Sequence, residues 1–186
     1  MNPIKNKKNL ESTINDVRNL AYSYLEKYNA SKQQLRIYLF KKLITRKQKI
    51  YGKKEIFDLI DSVILSLTEQ KLLSDEYYSD SKSKAFLRRG YSLNKIRYNL
   101  IKKGIAEKFI QSSISKIKKN ESDPDFFSAI RVCKKRRIGP SREEGNRSLF
   151  YKKDISILAR SGFSFEISKK VLEIPKEEFT KFCKML

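Results

Sequence analysis

The sequence contains no histidine and no tryptophan, and its 186 residues include only six glycines, four prolines and two cysteines. Histidine is the most frequent general base and metal ligand, so its absence argues against both kinds of site. The glycines form neither a GxGxxG nor a GxxxxGK[ST] pattern, so no phosphate-binding loop is visible. We therefore expect no catalytic residue, no metal and no cofactor, and we interpret the chain as a non-enzyme.

Long apolar runs are also missing. The most apolar segment, "IFDLIDSVILSL" at 56–67, carries Asp58 and Asp61, so we predict no membrane span. The first residues lack the apolar segment of a signal peptide, which predicts a cytoplasmic protein. Cys133 and Cys183 have no CxxC spacing, and we expect free thiols in a reducing compartment.

Positive charge is abundant by contrast. Lysine and arginine total 42 against 21 aspartate and glutamate residues, a formal net charge of +21. Such an excess favours polyanionic partners and steers encounters with them, but it does not specify a fold. The positions of the cations are therefore more informative than their number.

Apolar residues recur at helical spacing almost throughout, and no alternating strand pattern appears, so the sequence predicts an all-α fold. The segment 136–147, "RRIGPSREEGNR", is predicted to be a loop and the main site of disorder. The predicted helices span 12–29, 31–44, 54–70, 74–89, 92–103, 106–119, 124–136 with Ser122 or Asp123 as its cap, 148–161, 164–173 and 175–184.

Several helix ends carry recognisable capping residues. Ser31 and Gln34 form a predicted capping box, in which each side chain bonds the other residue's free backbone N–H. Ser92 is a predicted N-cap. Gly90 and Gly104 follow predicted helix ends, where glycine adopts the left-handed conformation that other residues resist.

A segment recurs along the chain. "SKQQLRIYLFKKLI" at 31–44 aligns with "SLNKIRYNLIKKGI" at 92–105, and "KKDISILARSGFS" at 152–164 is a third copy. Each copy has a predicted helix before it and another after it, which predicts three tandem three-helix modules. The predicted modules are 1–70 with a flexible basic N-terminus at 1–11, 71–121, and 122–186 with a C-terminal helix.

The repeated central helices carry cations opposite or beside their apolar residues. In the second copy the predicted inward residues are Leu93, Ile96, Leu100 and Ile101. A solvated basic face is the plainer interpretation of any single lysine, and the run at 130–140 equally suits a helix C-terminus. Recurrence in three stacked modules favours a contact surface for a partner or DNA. This basic set comprises Arg36, Lys41, Lys42, Arg88, Arg89, Lys95, Arg97, Lys102, Lys103, Lys134, Lys135, Arg136, Arg137 and Arg160.

Two other patterns have plain structural explanations. The acidic "SDEYYSD" at 74–80 is interpreted as an N-cap with an acidic first turn, not as a metal site. Exposed tyrosines can stack on bases, but Tyr77, Tyr78, Tyr91 and Tyr98 are interpreted as half-buried packing residues where modules join.

The segment 67–105 resembles the central module of the RecX family, the regulators of the RecA recombinase. In that family an acidic helix start leads to a glycine turn and a closing Lys-Gly-Ile. Here these features are 73–78, 90–92 and 103–105. Tyr77 departs from the family pattern, which has arginine or lysine there.

The other two modules show similar likeness, in "AYSYLEKYNASKQQLRIYLFKK" at 21–42 and "RSGFSFEISKKVL" at 160–172. The resemblance implies an elongated, curved, monomeric protein without catalytic activity. It further implies binding to the RecA filament on single-stranded DNA, with weak electrostatic contacts to the DNA, and restraint of the recombinase and coprotease activities. The alternative that the residues leave open is a helical protein that binds bare nucleic acid by itself.

Overall fold

The computed structural model describes the backbone of residues 3–47 and 52–186 and the side chains of residues 14–44 and 52–186. These ranges contain ten α-helices, one short 3-10 helix at Gly139–Ser141 and no strand, which confirms the predicted all-α fold. The helices are α1 Pro3–Leu25, α2 Lys32–Lys47, α3 Lys53–Glu69, α4 Asp75–Arg88, α5 Leu93–Lys102, α6 Glu107–Asn120, α7 Pro124–Arg136, α8 Glu144–Arg160, α9 Phe165–Leu172 and α10 Lys176–Lys184.

The first helix differs from its predicted bounds at both ends. It begins at Pro3 rather than near residue 12, and it ends at Leu25 rather than residue 29. Proline suits the first helical position because its missing N–H has no partner there. Residues 3–11 of the segment predicted as a flexible N-terminus thus have a helical backbone, and the flexibility of the segment stays a prediction.

The chain forms two compact units, of which the first contains residues up to Tyr78 together with Lys103–Ile105. In this unit α2 packs against α1 and α3. The predicted inward residues Leu35, Leu39 and Leu43 are all buried there, because they repeat every four positions along one face. The Ser31–Gln34 capping box is present, with Ser31 N–H donating to Gln34 Oε1 at 3.3 Å and Gln34 N–H donating to Ser31 Oγ at 3.2 Å.

The second unit contains Ser79–Lys102 and Ala106–Leu186. Within it Ile96 and Leu100 are fully buried, but Ile101 is 51% exposed, so its predicted inward position was wrong. Successive residues advance about 100° around a helix, which turns residue 101 away from the line through 96 and 100. The three predicted module boundaries differ from the borders of the two compact units and stay a prediction.

The segment 136–147 is ordered by a buried carboxylate. Asp154 Oδ2 accepts hydrogen bonds from Gly139 N–H and from Arg142 Nε, each at 2.8 Å, while Arg142 Nη2 donates to Asp154 Oδ1. The 3-10 helix therefore replaces part of the predicted loop, and α8 begins at Glu144 rather than at residue 148. The prediction of disorder was wrong because the residue that organises the segment lies in the next helix.

The start of a central helix is held in the same way in both units. Asp75 Oδ1 accepts a hydrogen bond from Lys32 N–H at 2.9 Å in the first unit. In the second unit Asp125 Oδ1 accepts one from Leu93 N–H at 2.7 Å. The start of α4 thus caps α2, and the start of α7 caps α5. This repeated junction supports the internal repeat that the aligned segments indicate.

Candidate functional site

Two arginines of the basic set occupy equivalent positions and make equivalent ion pairs. Arg36 of α2 pairs with Asp61 of α3, and Arg97 of α5 pairs with Glu107 of α6 at 3.1 Å. All four side chains are substantially exposed, and such surface pairs contribute about 0–1 kcal/mol. Both arginines therefore link a central helix to the helix that follows it, and they retain exposed faces.

Two other members of the basic set meet within the second unit. Lys95 Nζ donates to the carbonyl oxygen of Arg160 at 2.9 Å, at the C-terminal end of α8. This ammonium also lies 4.8 Å from the centroid of the Tyr91 ring. Lys95 thus helps to hold α5 against the end of α8, where a cation is favourable.

The basic run at the end of α7 combines a structural and an exposed part. Lys134 Nζ donates to the carbonyl oxygen of Cys183 at 3.0 Å, and Arg137 takes the left-handed conformation that ends the helix, with φ of 53°. Lys135, Arg136 and Arg137 are exposed to solvent. These three side chains of the run are accessible to a partner.

The remaining members of the basic set lie within or at the ends of central helices, or at the end of α4. Lys103 contributes its backbone carbonyl oxygen, which accepts a hydrogen bond from Ser31 Oγ at 2.6 Å. Lys102 is exposed and its ammonium lies 4.5 Å from the Tyr98 ring centroid. The other exposed members are Lys41, Lys42, Arg88, Arg89 and Arg160.

The four tyrosines that were interpreted as packing residues differ in their exposure to solvent. Tyr78 is 2% exposed, and Tyr91 stacks on Phe86 with ring centroids 5.2 Å apart, so both pack against neighbouring side chains. Tyr77 and Tyr98 are 68% and 56% exposed, so the packing interpretation was wrong for these two. Tyr98 with Lys102 forms an aromatic and cationic pair on the surface of α5, whereas Tyr77 lies in an acidic helix start.

Two cavities of the second unit have different chemistry. One of about 690 Å³ is lined by Glu144, Glu173 and Glu177 among others, and this excess of carboxylates disfavours a nucleic-acid phosphate. The other, of about 270 Å³, lies between α4 and α6 and is lined by both polar and apolar residues. Sequence analysis missed this second cavity, because its lining comes from two helices that are distant along the chain.

Burial raises the pKa of both cysteine thiols, most strongly that of Cys133. Both thiols are free, as predicted, and Cys133 is fully buried. Burial raises the pKa of the Cys133 thiol to about 12, so the nucleophilic thiolate is scarce near neutral pH.

Two further kinds of site are absent from the part of the chain that the structure describes. No group of three or more aspartate, glutamate, cysteine or histidine side chains in residues 14–44 and 52–186 is arranged to hold a metal ion. Among the helices of residues 3–47 and 52–186, none has the length and apolar composition of a membrane span.

Comparison with solved structures defines the class of protein. The fold resembles the crystal structure of RecX from Lactobacillus salivarius, with a TM-score of 0.62 and 18% identity over 92% of this chain and 99% of that one. A second crystal structure, of a regulatory protein RecX, gives a TM-score of 0.60 and 20% identity over 91% of this chain and 78% of that one. The chain is therefore an all-α protein with the fold of the RecX proteins.

Sequence comparison identifies the family. The chain is 32% identical over 161 residues to the regulatory protein RecX of Myxococcus xanthus, covering 84% of each chain. It is 27% identical over 161 residues to the regulatory protein RecX of Agrobacterium fabrum, covering 87% of this chain and 84% of that one. The sequence matches no family model. The chain belongs to the RecX family, and the resemblance recognised in its motifs is confirmed.

Proposed function

We propose that this chain is a non-enzymatic regulator that binds the RecA filament on single-stranded DNA and inhibits its recombinase and coprotease activities in DNA repair and recombination. Membership of the RecX family carries this proposal. A cytoplasmic monomer acting without a cofactor accords with it.

Exposed cations support the DNA contact within this proposal. Lys102, Lys135 and Arg136 are exposed in the second unit, where phosphate oxygens can reach them. Contacts between lysine or arginine and phosphates release counterions, so binding of this kind weakens as salt rises. The net charge of +21 adds long-range attraction to the filament's DNA.

The direct test adds the purified protein to RecA assembled on single-stranded DNA and measures ATP hydrolysis, strand exchange and coprotease activity. We expect all three to fall at amounts of the chain well below those of RecA. Unchanged RecA activities at a molar excess of the chain would contradict the proposal.

A matched pair of variants separates a specific contact from bulk charge. Lys102→Glu/Lys135→Glu should weaken inhibition about tenfold or more, because each reversal replaces attraction to a phosphate with repulsion. Lys53→Glu/Lys54→Glu makes the same change in net charge at the exposed start of α3, outside the basic set, and should retain inhibition. An equal loss of inhibition in both variants would show that net charge alone causes the inhibition.

Binding of bare nucleic acid is the alternative function, and the exposed Tyr98–Lys102 pair favours it because aromatic rings stack on unpaired bases. A mobility-shift titration with and without RecA distinguishes the two functions. The filament regulator should prefer RecA-coated DNA, whereas the stand-alone protein should bind bare DNA at least as tightly.

A further inference from the structure

The cleft between α4 and α6 in the second unit contains a buried hydroxyl group without a hydrogen bond. Ser83 lines this cavity of about 270 Å³, and its side chain is only 1% exposed. Its Oγ has no hydrogen-bond partner among the residues whose side chains the structure describes. Buried polar groups in folded proteins nearly always have a partner, so this hydroxyl group indicates a ligand-binding position.

The neighbouring polar side chains hydrogen-bond to one another and not to Ser83. Ser113 Oγ lies 2.8 Å from Ser79 Oγ and 2.6 Å from Asp80 Oδ1, and Lys116 pairs with Asp80. Burial alone would raise the pKa of Asp80, but the hydrogen bonds from Lys116 and Ser113 lower it below its ordinary value. Asp80 is therefore ionised and neutralised by Lys116 near neutral pH.

A second group in the cleft has an incomplete set of contacts. Glu121 lines the cavity, and its Oε2 lies 4.0 Å from Arg131 Nη1, at the outer limit of an ion pair. Within the described side chains neither of these two buried atoms has a hydrogen bond. The Glu121 side chain as a whole is nevertheless 30% exposed and lines the cleft, so its carboxylate is a candidate acceptor for a ligand there.

The other walls define the shape and charge of that ligand. Leu87 and Ile117 give the cavity apolar sides, and the exposed Lys84 and Arg88 add positive charge at its edge. The volume is below the range of about 300–1,000 Å³ that is usual for drug-sized ligands. A small flat group with apolar faces, a hydrogen-bonding edge and an attached anion meets these requirements, and a nucleotide has each of them.

We propose that the α4–α6 cleft receives one base of single-stranded DNA that carries an exocyclic amino group. The Glu121 carboxylate accepts the amino N–H, Ser83 Oγ bonds the ring edge, and Lys84 and Arg88 contact the adjacent phosphodiester. This inference rests on the DNA contact of the proposed function, and it adds a base preference. A carboxylate accepts from the N4 amino group of cytosine, whereas thymine presents a carbonyl oxygen at that position.

The test measures binding of the purified chain, without RecA, to a short oligothymidylate and to the same oligomer with one central cytosine, by fluorescence anisotropy. We expect the cytosine-containing oligomer to bind about tenfold more tightly. Inorganic phosphate should compete equally with both oligomers, because it occupies the cationic edge alone.

Variants identify the cleft as the source of the preference. Glu121→Gln should abolish the difference between the two oligomers, because an amide can donate to thymine as well as accept from cytosine. Ser83→Ala should weaken binding of the cytosine oligomer about fivefold, which is the loss expected for one typical hydrogen bond. Glu177→Gln, the same change at an exposed residue of the other cavity, should retain the full preference.

The outcomes separate this inference from the proposed function. Equal binding of both oligomers by the unchanged protein, or a preference that survives Glu121→Gln, would overturn the cleft assignment. If the chain prefers the cytosine oligomer but leaves RecA activity unchanged, the result would support the cleft assignment and contradict the proposed function. Inhibition of RecA without any base preference would support the proposed function and contradict the cleft assignment.

Discussion

Asp154 determines the conformation of the chain segment between α7 and α8. Its carboxylate is 1% exposed and bonds both Gly139 N–H and the guanidinium of Arg142. Burial alone would raise the pKa of Asp154, but the bonds from Arg142 and Gly139 lower it below its ordinary value. A buried charge that loses its partner is strongly destabilising. The ion pair with Arg142 and the hydrogen bond from Gly139 therefore both tie the 3-10 helix to α8.

We predict that Asp154→Asn lowers the free energy of unfolding by about 3 kcal/mol near neutral pH, because it leaves Arg142 without its counter-ion. The folded-state pKa of Asp154 lies below the unfolded value, so its contribution is complete above a pH of about 4 and is lost as the pH falls through the folded pKa. Urea unfolding at a series of pH values measures both effects.

The control for this prediction is Asp58→Asn at an exposed position of α3. It should change stability by less than about 0.5 kcal/mol. An Asp154→Asn protein as stable as the unchanged chain at neutral pH would show that the ion pair does not organise the segment.

Residue-level prediction succeeded where the partner lies nearby in sequence. The Ser31–Gln34 capping box was predicted because both residues belong to one helical turn, and both hydrogen bonds are present. The acceptor for Lys32 N–H, Asp75, lies far along the chain, and no local pattern assigns it to α2. Tyr98 had no local feature to separate it from the packed Tyr91.

At the scale of elements, two glycine turns pack closely against the start of an earlier helix: Gly104 against α2 and Gly162 against α5. In the first unit, a Cβ atom added to Gly104 would lie 2.5 Å from Gln33 Cβ. In the second unit, one added to Gly162 would lie 2.4 Å from Ser92 Oγ and 2.9 Å from Lys95 Cβ. Both glycines have positive φ, 74° and 88°. Glycine is therefore required at both positions by conformation and by space.

We predict that Gly162→Ala lowers the free energy of unfolding by about 1–3 kcal/mol, because the left-handed conformation and the close approach both penalise a side chain. Gly145→Ala is the matched control, since Gly145 lies in α8 and nothing is within 4 Å of an added Cβ. That change should be neutral or stabilise the helix by up to about 1 kcal/mol. Thermal unfolding of both variants tests this difference in stability. A Gly145→Ala protein that is destabilised as much as Gly162→Ala would contradict the prediction.

At the scale of the whole molecule, the positively charged side chains are of two kinds: some contact partners within the fold, and others are exposed to solvent. Arg36, Arg97 and Lys134 contact partners within the fold, whereas Lys135 and Arg136 lie exposed. Reversing the first group disturbs structure as well as charge. The second group allows a cleaner test of DNA binding.

We predict that affinity for bare single-stranded DNA falls linearly with salt on logarithmic axes, with a slope of about −0.7 for each phosphate contacted. Lys135→Glu/Arg136→Glu should reduce the magnitude of this slope by about 1–2 and leave thermal stability unchanged. Anisotropy titrations over a range of salt concentrations give both slopes. An unaltered slope would show that these two cations do not contact DNA.

The sequence by itself determined the helical fold class, most helix starts and the RecX family, because these depend on periodicity and on residues adjacent along the chain. It also identified Gly90, Gly104 and Ser92 as helix-end residues, and the structure bears this out. Only the tertiary structure decided that Asp154 orders the segment before α8, that Asp125 caps α5, and that Ser83 and Glu121 face one cleft. The physical reason is distance along the chain: hydrogen bonding and burial at these positions depend on side chains from other helices, which local spacing does not specify.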